Sequence, residues 1–127
     1  MPVVKVTREE ERMGAAANVA YNIVTLGAQA SFLGVVGDDE PGPRLEALLA
    51  GTGISAHLKR DPGLRTTVKL RVIGRQQQLL RIDFETPPSG EVLASKLADF
   101  RSALPACDVV ILSDYGKGGL AHIARMI

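Results

Sequence analysis

The sequence predicts an α/β fold of ribokinase-like layout: a mostly parallel sheet with flanking helices and a small β-hairpin lid, truncated at both ends. Three observations carry this reading. Helical and strand periods alternate from Ala16 to Leu58, a period of two takes over across residues 66–85, and helix–strand alternation then resumes to the end of the chain. Alternating elements on both sides of an interrupting hairpin are what a parallel sheet with an inserted lid produces along the chain.

The elements follow in order. From Ala16 the apolar positions Val19, Ile23 and Leu26 recur at helical spacing, and Gly27 supplies a C-terminal cap, for a helix of about three turns. SFLGVVG is a short apolar run bounded by GDDEPG. It predicts a buried strand feeding a helix that starts with Pro41 and is favoured by Asp38, Asp39 and Glu40 at its N-terminus. Leu45, Leu48 and Leu49 mark that helix's buried face, Gly51 and Gly53 end it, and GISAHL reads as the next short strand. Thr7 and Glu10 have capping-box spacing, but no helical period follows them.

In TTVKLRVIGRQQQLLRIDFE, Val68, Leu70 and Val72 share one face and Lys69 and Arg71 the other. Leu80, Ile82 and Phe84 likewise oppose Arg81, Asp83 and Glu85, so the segment predicts a hairpin with one charged face. After the punctuation PPSG, Leu93, Leu97, Phe100 and Leu104 predict an amphipathic helix ending at Pro105. DVVIL then reads as a buried strand, SDYGKGG as its exit loop and LAHIARMI as the start of a helix. PVVKV at residues 2–6 alternates like a strand immediately after Met1 and is expected in the lid with residues 66–85, while HIARMI stops inside a helical pattern, so the chain reads as a fragment, one partial ribokinase-like domain over residues 1–127.

A chain of 127 residues holds one modest core. With 46% hydrophobic residues, 23% charged residues and a net charge of +1, it has no bulk bias toward nucleic acid or membrane, and neither is expected as a partner. No apolar run approaches the roughly 18 residues of a membrane span. The single cysteine, Cys107, excludes an intrachain disulfide and points to a reducing cytoplasm. His57, His122 and Cys107 lack metal-ligand spacing, so no metal site is expected in this stretch.

Three segments can carry chemistry. Gly14 to Ala17 are small residues at a helix N-terminus, where unpaired N–H groups favour anions and hydroxyl oxygens, and Asn18 adds a side chain that donates and accepts; close packing of a neighbouring element explains small residues equally well. SDYGKGG follows a predicted strand at the carboxyl end where open α/β sheets bind ligands. Asp114 can take sugar hydroxyls there and Lys117 a phosphate, the alternative being a plain turn with a solvated lysine. On the hairpin, a simple antiparallel register sets Lys69 opposite Asp83 and Arg71 opposite Arg81. Two facing arginines repel unless an anion lies between them, which makes Lys69, Arg71 and Arg81 a candidate phosphate clamp against the alternative of a solvated charged face.

The stretches EERMGAAANVAYNIVTLGA, VVGDDEPG, TTVKLRVIGRQQQLLRIDFE and LSDYGKG, with PVVKV before them, resemble the ribokinase family of carbohydrate kinases, and within it the heptose 7-phosphate kinases of ADP-heptose synthesis. That resemblance implies a transfer of the ATP γ-phosphoryl group, with Mg²⁺, to the anomeric hydroxyl of D-glycero-D-manno-heptose 7-phosphate in the pathway to the lipopolysaccharide core. It implies sugar contacts from Gly14 and Asn18, phosphate contacts from Lys69, Arg71, Arg81 and Lys117, an orienting role for Asp83, a place near the sugar for Asp114, and homodimers paired through β lids. It also places the general base in a GAGD motif and a sugar-binding Asp on a first strand. This chain contains neither, so no catalytic residue is expected within it and little turnover or ATP binding from it alone. The family's paired glycines read Gly14-Ala15 here, and Met13 replaces a common proline. A non-catalytic phosphosugar-binding or dimerisation module, or a kinase fragment for another sugar, stands as the alternative.

Overall fold

The computed structural model describes residues 1–127. Helix α1 (Ala15–Thr25) leads to strand β1 (Ser31–Gly37), helix α2 (Pro41–Ala50) and strand β2 (Ser55–Asp61). Strands β3 (Val68–Gly74) and β4 (Gln77–Phe84) form the hairpin, and helix α3 (Gly90–Ala103) follows. β1 and β2 pair in parallel, Ser31 with Ser55 through to Gly37 with Asp61, while β3 and β4 pair antiparallel in a separate two-stranded sheet.

The parallel pair is covered on both faces. Leu49, with no exposed surface, joins Ala17, Ala20 and Ile54 in a core against which Phe32 and Leu58 pack, so the face carrying Phe32 and Leu58 meets α1 and α2. The alternate residues point the other way. Lys59 pairs with Asp99 of α3 at 2.8 Å, and Asp61 accepts a 2.9 Å hydrogen bond from the backbone of Ser89, which caps α3. Period-two alternation along β2 thus distributes the helices onto two layers.

Each boundary has a local cause. Gly27, at φ +91°, follows the last turn of α1 as the glycine cap predicted for that position. Pro41 stands at the start of α2, where its missing N–H costs nothing. The Ser89 hydroxyl accepts from the Val92 amide at 3.3 Å to begin α3.

Three expectations are corrected. DVVIL is not a buried strand: Val109 is 77% exposed, Val110 and Ile111 are also exposed, and the segment joins neither sheet. A β-branched run becomes a strand only beside a partner strand, and none borders it in this chain. LAHIARMI forms turns and a single 3₁₀ turn at Ile123–Arg125 rather than the first turns of an α-helix. Residues 2–6, expected beside the hairpin in the lid, carry no strand, and Val3, Val4 and Val6 are exposed. No helix is long and apolar enough to cross a membrane.

Candidate functional site

The hairpin register is the predicted one. Lys69 stands opposite Asp83 and Arg71 opposite Arg81, while Val68 with Phe84, Leu70 with Ile82 and Val72 with Leu80 share the other face. The turn is a two-residue connection, Arg75-Gln76, both at positive φ (48° and 69°), and a bulge at Leu79 shifts the register beyond Val72. Asp83 bonds along its own strand, with its Oδ1 3.0 Å from Nε of Arg81, rather than across to Lys69. No carboxylate lies within ion-pair distance of Lys69 or Arg71. Within the paired strands the charged face therefore presents three cations against one carboxylate, Glu85 just beyond β4 being taken by Lys117, and Asp83 lies against Arg81.

Lys117 is brought to this hairpin. Its ammonium pairs with Glu85, the residue directly after β4, so the glycine loop sits at the exit of the lid. Gly116 (φ +68°) and Gly118 (φ +81°) give that loop its left-handed turns, and a Cβ on Gly118 would rest against Pro87 and Pro88. Asp114 is exposed, and its Oδ1 accepts the Gly116 amide at 2.8 Å, closing an Asx turn.

Gly14 and Asn18 lie apart from this group. Gly14 is the extended N-cap residue of α1, its carbonyl accepting from the Asn18 amide at 3.3 Å, and both are exposed. No hydrogen bond or ion pair links them to the hairpin or to the 113–119 loop. Ala15, directly after Gly14, has φ +47°, a left-handed conformation that a residue with a Cβ adopts at a cost. A glycine at this position would avoid that cost.

Sequence reasoning missed the carboxylates that hold the lid stems. Asp39, read as a helix-start charge, bonds Thr66 twice, to its amide at 2.8 Å and its hydroxyl at 2.5 Å. Burial pushes the Asp39 carboxyl up, but the Thr66 bonds and the Gly42 amide outweigh it and hold the group below its ordinary range. Asp61, 7% exposed, accepts from Ser89 and from the Gly63 amide at 3.0 Å, and the Ser89 bonds hold it low as well. The available signal was the position of each aspartate at the carboxyl end of a strand.

No three His, Cys, Asp or Glu side chains converge, and Asp39 and Asp61 already spend their oxygens on amide and hydroxyl donors. The hairpin leaves Lys69 and Arg71 without a carboxylate partner, a charge arrangement suited to an anion.

The profile of the pfkB family carbohydrate kinases matches residues 3–122. The chain is 48% identical over 127 residues to a D-beta-D-heptose 7-phosphate kinase of Bordetella bronchiseptica, all of this chain against 41% of that protein. It is 46% identical over 127 residues to the bifunctional protein HldE of Methylococcus capsulatus, covering 27% of it, and 52% identical over 122 residues to the HldE of Pseudomonas fluorescens, covering 25%. The chain thus spans between a quarter and two-fifths of the length of these relatives. With the match running from residue 3 to residue 122, the chain belongs to the pfkB family of carbohydrate kinases.

Proposed function

We propose that this chain is part of an ATP-dependent kinase that phosphorylates the anomeric hydroxyl of D-glycero-D-manno-heptose 7-phosphate, in the cytoplasm, for ADP-heptose and lipopolysaccharide core synthesis. Its own contribution is the substrate half of the site. The observation that carries this reading is the hairpin register, which faces Arg71 with Arg81 beside Lys69 and leaves two of the three cations without a carboxylate partner. Identities of 46–52% to relatives named as heptose kinases and HldE proteins favour this acceptor over another sugar.

The physical task of such a site is positioning. Phosphoryl transfer relies on alignment and on charge stabilisation, so a grip on the 7-phosphate fixes the far end of the sugar and limits where its anomeric hydroxyl can lie. Arg71 and Arg81 present forks suited to phosphate oxygens, Lys69 adds a point charge, and Asp83 keeps Arg81 in place. Gly14 and Asn18 offer an exposed backbone and an amide for hydroxyls, and Lys117 and Asp114 lie on the loop tied to the lid's exit. No residue here is assigned as general base.

The opposite face of the hairpin supports a second part of the reading, a homodimer through the lid. Leu70 and Leu80 are 47% and 53% exposed and Ile82 is exposed beside them, an apolar stripe that a second copy would cover.

The test is titration with heptose 7-phosphate against variants R71S and R81S. Charge-assisted hydrogen bonds are worth about 1.5–3 kcal/mol each, or roughly 10- to 100-fold in Kd. Equal affinity in wild type and both variants refutes the clamp.

A further inference from the structure

We infer that Asp39 and Asp61 are positioning residues that lock the lid's angle over the end of the parallel sheet. The inference concerns the lid's orientation and does not depend on which sugar the site takes.

A hairpin whose strands bond only each other is aimed by its two stems, here residues 62–67 and 85–89. Both stems are held by carboxylates at the carboxyl end of the sheet, where Gly37 of β1 stands in register with Asp61 of β2. The entering stem is gripped at Thr66: its amide and hydroxyl donate to the two oxygens of Asp39, and its hydroxyl oxygen accepts from the Gly37 amide at 2.8 Å. One carboxylate joins the two stems, because Asp61 accepts Gly63 on the way in and Ser89 on the way out. The grip is close-packed: Leu64 and Thr66 are buried, and a Cβ on Gly37 would collide with the Leu64 carbonyl oxygen. Neither aspartate has a cationic partner, so both charges are balanced by these stem donors and the grip is directional. An ordinary surface ion pair would leave the hairpin free to swing; four donors from three stem residues on two carboxylates do not.

The experiment is a spin-label distance measurement on the chain with Cys107→Ser, labelled at Gln77→Cys on the lid and Ala47→Cys on α2, both exposed positions. Wild type is expected to give one narrow distance population, and Asp61→Ala and Thr66→Val to at least double its width. A thermal melt of each variant runs alongside, because a merely structural role lowers the midpoint while leaving the distances of the folded molecules unchanged. Should Asp61→Ala not refold, Asp61→Asn, which keeps the shape and one acceptor oxygen, takes its place. Wild-type width in cooperatively melting variants overturns the inference, and so does a broad wild-type distribution.

Discussion

Replacing Ala15 by glycine should stabilise this protein, although the residue opens a helix. At φ +47° its Cβ crowds the following carbonyl, a strain of about 1–2 kcal/mol that glycine does not suffer. Glycine loses more backbone entropy on folding, which offsets about 0.5–1 kcal/mol of that gain. The balance is a stabilisation of about 0.5–1 kcal/mol, or a few degrees in Tm for a domain of this size. Urea unfolding reads it directly: the midpoint rises with the slope unchanged. Ala16→Gly, one residue further into α1, is the control. Its backbone is not among those at positive φ, so it should lose about 0.5–1 kcal/mol as an ordinary helix residue does. Equal losses in both variants would refute the strain argument.

Three further outcomes follow from other parts of the molecule. The hairpin turn holds two side chains at positive φ, so the pair Arg75→Asn and Gln76→Gly should raise stability by about 1 kcal/mol; an unchanged urea midpoint would count against the observed turn. Asp39 and Asp61 both titrate below the ordinary carboxylate value of about 3.9, so the unfolded chain binds protons more tightly than the folded one. Their stabilisation is therefore complete above that pH and is lost as pH falls through the folded values. Asp61→Asn should flatten this acid limb of the urea midpoint, and parallel limbs for variant and wild type would contradict the assignment. Leu80→Glu, in the centre of the apolar hairpin face, should turn a lid-paired dimer into a monomer in sedimentation velocity, whereas a dimer unaffected by the change would place the interface elsewhere.

The helices and the hairpin were legible because each buries or charges one face, and such a face leaves a period in the sequence. Leu45 and Leu49 of α2, Leu93 and Leu97 of α3, and the alternation of Lys69 and Arg71 with Leu70 all announce their surroundings. Arg71 opposite Arg81 followed from simple antiparallel counting, which succeeded because the bulge lies beyond that pair, toward the turn. The lid stems were not legible. Asp39 reaches Thr66 across 27 positions through side-chain and backbone bonds, and such bonds impose no period. The turn was hidden because Arg75-Gln76 lacks the Asn-Gly chemistry that its conformation favours. DVVIL misled for the opposite reason: its composition suits a buried strand, but pairing is decided by neighbours, and the two strands of the parallel sheet bond each other instead.

The central claim is that the charged hairpin face grips the phosphate of the sugar. Its most direct test is a thermal melt of the chain with and without saturating heptose 7-phosphate, with ribose 5-phosphate as the control and R71S as the variant. A ligand that binds only the folded form adds about 2.7 kcal/mol at a hundred times its Kd. The account expects heptose 7-phosphate to raise the midpoint of wild type well beyond ribose 5-phosphate, and R71S to lose most of that rise. A cooperative melt that heptose 7-phosphate leaves unmoved, or moves equally in R71S, would contradict it.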